Sequence, residues 1–505
     1  MTTDPIANEP RPGRSQARQF FALIVIGAAT AQTLGLTLKL QTQIGANDIS
    51  RWATVWSLLE RGTYAIDDCP WQEKTQDKVK KPNKLSAPPA GADPVRKFEY
   101  AIAPKSWREG EVVEHFYSSK PPLLPTMIAG VLYPFRKLTG VPLERNIPQE
   151  RLPRYVQKPG VEKPVLETPK EPVNWPVYVL YFKPIVVLLN VVPLWLVLLG
   201  YARFLDRHAP NDWAWFLSLA GAAWGTLLIV FDPTLNNHTI AASCAFFTLA
   251  GFIRIWDEGE SSSRGLFALT GFFAAFTACN ELPAALFGII LFLMLLVRFP
   301  KPTLQAFVPA AIVPCAAFLV TQFLAFGQFK PVYEEFGTKS YQYEGSYWNT
   351  PLEMDWFNVH PESHATYLFH MTFGHHGVFS LTPIFLFSIY GAFRLLWRPQ
   401  KLRGLAWITI ILTVAMLAFY TWNPKARNYG GSTQGLRWLF WLIPFWLFFL
   451  PKGVEAGQTR KWVRSASLVA LMVSVMTVGY GLRMPWSHPW LLDAMEHLNL
   501  YLLKR

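Results

Sequence analysis

Eleven apolar runs decide what this chain can fold into. They fall near residues 19–40, 178–202, 212–231, 238–256, 265–280, 282–298, 304–326, 377–396, 404–421, 437–450 and 465–483. A helix needs roughly 20 mostly apolar residues to cross the hydrocarbon of a bilayer. The pattern therefore predicts an all-α polytopic membrane protein with about eleven transmembrane helices. Composition agrees, at 51% hydrophobic and only 16% charged residues over 505 positions. The formal charge of +13 sits largely in residues that flank the apolar runs, so membrane topology explains it and no nucleic-acid partner is expected. Of the four cysteines, only Cys69 lies in a polar loop, and no disulfide framework is implied.

The basic residues also orient the chain. One set of short loops holds Arg203 and Arg207; Arg254 and Arg264; Arg298 and Lys301; Arg394, Arg398, Lys401 and Arg403; Lys452, Arg460, Lys461 and Arg464. The opposite connections near 232–237 and 280–281 carry no Lys or Arg. Under the positive-inside rule the first set is cytoplasmic. Residues 1–18 then form a cytoplasmic tail ahead of an uncleaved first span. Residues 19–483 form the transmembrane unit, with long outer loops at 41–177 and 327–376. Residues 484–505 form an extracytoplasmic tail. In it Trp486, Trp490, Leu491, Met495 and Leu498 suggest a helix lying at the membrane interface.

Within the first outer loop, Ile49, Trp52, Val55, Trp56 and Leu59 recur near helical spacing and predict an amphipathic surface helix over 49–61, stopped by Gly62. Residues 70–95 read as irregular loop, 96–117 as a hairpin turning at Glu109-Gly110, and 121–135 as a second interfacial or re-entrant helix. The stretch 136–176 is basic and Pro-rich.

Candidate chemistry clusters on the outer face. Asp48 either caps the surface helix or serves there as a general base. Lys120, set before Pro121 and Pro122, either reaches for headgroups or holds a phosphate as a point charge. Asp232, Asn236, Asn237, His238 and Glu281 fall in the short outer connections, where polar groups at membrane depth either cap helices or line a cavity. Lys425, Arg427 and Arg437 are basic on the outer side, against the topological trend, and either face an anionic partner or belong to a solvated loop. His360, His364, His370, His375 and His376 match no zinc spacing, so no metal site is assigned to them. The chain shows no Gly-Lys-Ser/Thr phosphate loop, no dinucleotide fingerprint and no Gly-x-Ser-x-Gly elbow.

Several of these segments carry a family resemblance: Asp48 with Arg51 after the first span, the helix ending near Gly62-Thr63-Tyr64, and Tyr117-Ser118-Ser119-Lys120-Pro121-Pro122-Leu123. An Arg-rich turn at 203–208 and Asn428-Tyr429-Gly430-Gly431 with Gly435-Leu436-Arg437-Trp438 add to it. The chain resembles the C-type (GT-C) superfamily of membrane glycosyltransferases, in the bacterial branch related to protein O-mannosyltransferases and lipid A aminoarabinose transferases. The resemblance is specific in the first loop and architectural elsewhere. It implies a polyprenyl-phosphate-linked sugar donor, transfer to an acceptor hydroxyl at the outer face of the bacterial plasma membrane, and inversion at the anomeric carbon. It makes Asp48 the base and Lys120 the donor-phosphate ligand, and Asp232 falls loosely near a second acidic position of some relatives. Beside it, the outer-face residues add Arg437 as a further phosphate ligand and Arg51, Asp232, Asn236, Asn237, His238 and Glu281 as candidate cavity lining. Relatives often pair acids in the first loop, whereas Asn47 and Ile49 flank Asp48 here. That argues against a divalent metal cofactor, and Lys120 with Arg437 would stabilise the leaving phosphate in its place. The main alternative is a transporter or flippase of a lipid-linked or anionic substrate, although no internal repeat of the kind common in transporters is visible. A surface-polysaccharide ligase and a non-catalytic scaffold are further alternatives.

Overall fold

The computed structural model describes residues 15–82, 114–149, 154–156, 165–167, 173–336, 338–346, 362–397, 402–422 and 428–501. Among them, eight helices are long and apolar enough to cross a membrane: Gln16–Lys39, Tyr178–His208, Asp212–Phe231, Asn237–Ser261, Pro300–Phe326, Arg403–Trp422, Arg437–Gln458 and Lys461–Gly481. The protein is an all-α polytopic membrane protein, with eight long spans rather than the eleven expected. The remaining three expected spans are shorter helices. Arg264–Asn280 has 17 residues, a rise of about 25 Å against a hydrocarbon thickness of about 30 Å. Leu282–Arg298 opens with a 3-10 turn. The run at 377–396 is divided at Thr382-Pro383 into Val378–Leu381 and Ile384–Leu396, since proline offers no N–H to continue a helix.

The bundle core is aromatic. Trp215, Trp441, Trp446, Phe246 and Phe448 are buried in one cluster. Trp446 donates its indole N–H to Thr413 Oγ1 at 3.0 Å, the partner that a buried indole needs. The Ile384–Leu396 and Ile443–Val454 helices cross at glycines: a Cβ on Gly453 would lie 1.8 Å from the Phe387 carbonyl oxygen, so only glycine permits that approach. Large apolar side chains such as Leu23, Val297, Ile312 and Met472 stay exposed on the outside of the bundle, where lipid would cover them.

Two helices of the long loop at 41–177 cover one end of the bundle. Ala46–Glu60 matches the expected surface helix, and the chain turns out of it at Gly62, whose φ of +68° suits glycine. Leu123–Thr139 is the second expected interfacial helix. The two are clamped by Arg136, which donates to both Glu60 oxygens at 2.6 and 2.7 Å. Trp52 stacks on Phe182 at 3.8 Å and fixes the pair onto the spanning Tyr178–His208 helix.

Three expectations for the loops need correction. The hairpin placed at 96–117 is absent in that form. Its described part, Glu114–Ser118, pairs antiparallel with Lys78–Pro82, inside the stretch read as irregular; the turn at Glu109-Gly110 lies outside the described residues. Within 136–176, Asn146–Gln149 pairs with Val173–Pro176 and Arg154–Val156 with Val165–Glu167. In the tail, Trp490–His497 is helical as expected, but Trp486 packs into the protein instead of facing lipid. Pairing of Lys78–Pro82 with a strand more than 30 positions away leaves no local periodicity to read.

Candidate active site

A cavity of about 1120 Å³ opens between the outer-loop helices and one set of span ends. Its wall is assembled from far-apart segments. The Ala46–Glu60 helix supplies Asn47 and Arg51. The first loop supplies Asp77 and Lys120, the span ends supply Asn237, His238 and Glu281, and the late segments supply Arg437, Trp438 and Trp486.

Local hydrogen bonds explain how Asp77 and Lys120 come together. Ser50 Oγ, on the surface helix, lies 2.6 Å from both the Asp77 carbonyl oxygen and Ser118 Oγ. Ser119 N–H donates to the same Asp77 carbonyl at 3.0 Å, and Lys120 N–H to Ser118 Oγ at 3.1 Å. The strand pair Lys78–Pro82 with Glu114–Ser118 thus ends in a pinned knot. From that knot Lys120 Nζ reaches Asp77 Oδ2 at 2.9 Å. The loop after Phe326 closes that wall, with Lys81 pairing with Glu335 at 2.7 Å.

Three cations converge here. Arg51, 2% exposed, donates to the Asn47 carbonyl at 3.0 Å and to the side chains of Asn47 and Asn237. Burial pushes its pKa down to about 10, opposed by Asp77 and reinforced by Arg437, and it remains charged at neutral pH. Burial also pushes the Lys120 ammonium below its ordinary range; Asp77 opposes this, while Arg51 and Arg437 add to it. Arg437 lies over Trp486, 5.0 Å from ring centre to guanidinium carbon. Its Nε and Nη1 are enclosed and have no hydrogen-bond partner among the described residues. A buried charged donor left unsatisfied is costly, so this guanidinium can take an acceptor beyond the described residues.

The acids do not balance the cations. Asp77 is buried beside Lys120. Glu281 accepts from Asn237 Nδ2 at 2.7 Å and contacts His238 Nδ1. Burial pushes the Glu281 carboxyl up to about 8, against the pull of Arg437 and Arg51, so it is mostly protonated at neutral pH. Arg51, Lys120 and Arg437 therefore face two buried acids, Asp77, which is spent on Lys120, and Glu281, whose burial favours the neutral form, and the interior favours an incoming anion.

The sequence candidates divide. Lys120, Arg437, Arg51, Asn237, His238 and Glu281 line the cavity. Asp48, Asp232 and Asn236 do not. Asn236 caps the Asn237–Ser261 helix, accepting from Thr239 N–H at 2.9 Å. Asp232 is buried, its backbone carbonyl accepting from Asn190, and burial pushes its carboxyl well above the usual carboxylate range. Asp48 is fully buried and folds back on its own helix start, accepting from Gly45 N–H at 2.8 Å and Ile44 N–H at 3.2 Å. The capping reading, not the cavity reading, describes its geometry. Lys425 and Arg427 lie outside the described residues. Asp77, Tyr333 and Tyr341 went unread in the sequence, and Trp438 and Trp486 were not read there as cavity lining, because nothing near them in the chain marks that role.

Asp48 supplies a pH test of that placement. Burial holds its carboxyl protonated up to about 7, while the unfolded acid ionises near 3.8. The unfolded chain therefore releases this proton first, and stability falls as pH rises across that interval, levelling off above it. Asp48→Asn is expected to flatten this fall. The measurement is the unfolding temperature of parent and variant in detergent across the interval. The same decline in both proteins would show that Asp48 does not titrate as a buried cap.

A scan against models of known protein families finds no match to this chain, and a search of curated proteins finds none either.

Proposed function

We propose that this protein is a membrane glycosyltransferase. It would move a sugar from a polyprenyl-phosphate-linked donor to an acceptor hydroxyl at the outer face of a bacterial plasma membrane. The observation that carries the reading is the enclosed, unpartnered Arg437 guanidinium beside Arg51 and Lys120 in one large cavity at the span ends. Phosphate matches that need: guanidinium forks bind it through paired N–H groups, and an ammonium adds a point charge. The volume of about 1120 Å³ is somewhat above the usual range for small-molecule sites and suits a sugar, its phosphate and the first part of a lipid chain. Tyr333, Tyr341, Trp438 and Trp486 offer the flat apolar faces that such a ligand would pack against.

The eleven-crossing topology with a cytoplasmic N-terminus belongs to this proposal. It is supported by the ends that meet at the cavity. Asn237, Glu281, Arg437 and Trp486 all reach it, while the basic loops at 203–207, 254–264, 298–301 and 452–464 fall at the other ends of the same helices.

In this reading Lys120 and Arg437 hold the donor phosphate and stabilise the charge that it gains as the bond to the anomeric carbon breaks. Arg51 adds to the field. Asp77 takes the base role that the first-loop resemblance implies for Asp48. A phosphate drawn to Lys120 competes with Asp77 for that ammonium, which releases the carboxylate to accept the acceptor's hydroxyl proton. The hydroxyl oxygen then bonds to the anomeric carbon as the lipid phosphate departs, and the configuration inverts.

The test is reconstitution of the full chain in liposomes with a polyprenyl-phosphate-linked sugar, read by mass spectrometry of lipids and glycans, alongside the surface glycolipids of cells with and without the protein. Sugar loss from the donor and a new glycosylated product are expected. Movement of intact donor between leaflets without its consumption would overturn the proposal in favour of a transporter.

A further inference from the structure

A second cluster lies outside this cavity and is tied to its wall through Tyr429, whose neighbours Asn428 and Gly430 line it. Glu362, His370 and His375 are buried, and one donor atom from each lies within 4.8 Å of the others. The His370 and His375 rings stack with centres 4.0 Å apart. His375 Nδ1 sits 2.6 Å from His376 Nδ1, so one of those nitrogens carries the proton between them. His375 is fully enclosed, and its Nε2 has no hydrogen-bond partner among the described residues. Glu362 is held by two tyrosines: Tyr501 donates to Oε1 at 2.7 Å and Tyr429 to Oε2.

We propose that Glu362, His370 and His375 form a binding site for a divalent transition-metal ion of the zinc class. Two imidazoles and one carboxylate are an established donor set for such ions. The surroundings match what metal ligands need around them. With its Nδ1 engaged by His376, His375 has Nε2 left for the ion, and the site requires the shared proton to sit on His375 Nδ1 so that Nε2 is bare. The two tyrosine hydroxyls orient the carboxylate, as outer-sphere donors do. Tetrahedral bonds of about 2.0–2.1 Å require donors closer together than 4.8 Å, so the ion draws the three side chains inward. The fourth position is left to water.

The position gives the ion a task. His370 lies on the His364–Thr372 helix and His375 on the turn after it. Tyr429 opens the segment that leads to Arg437, and Tyr501 lies near the chain's end. A Cβ on Gly430 would sit 3.3 Å from Arg437 Nε. A metal at this point therefore clasps the segment that presents Arg437 to the cavity, together with the C-terminal tail.

The test uses the full-length protein in detergent, purified without a histidine tag. Elemental analysis is expected to find about one zinc-class ion per chain, as a single site of this donor set implies. Removal with a chelator is expected to lower the unfolding temperature, and Zn2+ alone, added at one equivalent, to restore it. Tyr501→Phe is expected to weaken Zn2+ binding by about 10–100-fold while leaving the ligands in place. His375→Ala should abolish binding. Should that variant fail to fold, the chelation experiment on the parent and the Tyr501→Phe titration still decide. A parent protein that takes up no stoichiometric Zn2+ and whose unfolding temperature ignores both chelator and metal would overturn the site. These readouts are metal content and stability, so they stand whether or not the chain transfers sugar.

Discussion

Asp77→Asn is expected to lower sugar transfer by about 10²–10⁴-fold, the usual contribution of a positioned general base, with the protein still folded. Asparagine keeps the shape of the side chain but cannot take the acceptor's proton. Its Oδ1 can still accept from Lys120, so the pinned knot at Ser50, Ser118 and Ser119, which uses the Asp77 backbone carbonyl, stays intact. Asp48→Asn is the paired comparison. Asp48 spends its oxygens on Gly45 and Ile44 N–H groups and does not line the cavity, so its replacement is expected to change stability more than turnover. Transfer would be measured with both variants under saturating donor. Near-parental transfer by Asp77→Asn together with an inactive, folded Asp48→Asn would return the base role to Asp48. Loss in neither would leave Glu281, the other buried acid lining the cavity, as the group to replace next.

Arg437→Ala is expected to lower turnover by about 10²–10³-fold, the scale for removing one donor that stabilises developing charge in a water-poor site. The expectation rests on enclosure. Arg437 Nε and Nη1 have no partner among the described residues, so any anion that satisfies them gains the full strength of charge-assisted bonds. Arg437→Lys is expected to recover little, because an ammonium lacks the planar fork and cannot lie on Trp486 as the guanidinium does. Lys120→Ala is expected to weaken donor binding more than Lys120→Arg, since arginine retains the charge. Both comparisons should be run at two salt concentrations. Exposed charges are screened over about 8 Å at physiological ionic strength, and buried ones much less. Donor affinity that is unchanged in Arg437→Ala, or a Lys120 effect that disappears with added salt, would mean attraction to the lipid surface and no formed phosphate site.

What the sequence alone determined was whatever depends on neighbours in the chain. Apolar runs of spanning length identified the membrane class. Helical spacing of Ile49, Trp52, Val55, Trp56 and Leu59 placed the surface helix, and Gly62 placed its end, because both follow from backbone periodicity and one residue's φ. Lys120 and Arg437 stood out because a cation on the outer face runs against the topological trend. The tertiary structure decided everything that needs distant segments to meet. It put Asp77 against Lys120 through a strand pairing whose two halves are more than 30 residues apart. It turned Trp486 from a lipid-facing residue into a wall of the cavity against Arg437. It also separated two readings of Asp48 that one local pattern allows, since a cap and a base differ only in what the carboxylate faces. The Glu362, His370 and His375 cluster was illegible for the same reason: its short spacing fits no metal signature, and the tyrosines that orient it, Tyr429 and Tyr501, come from elsewhere in the chain. Secondary structure is chosen by interactions a few residues long, whereas a site is chosen by how the packed helices bring their ends together.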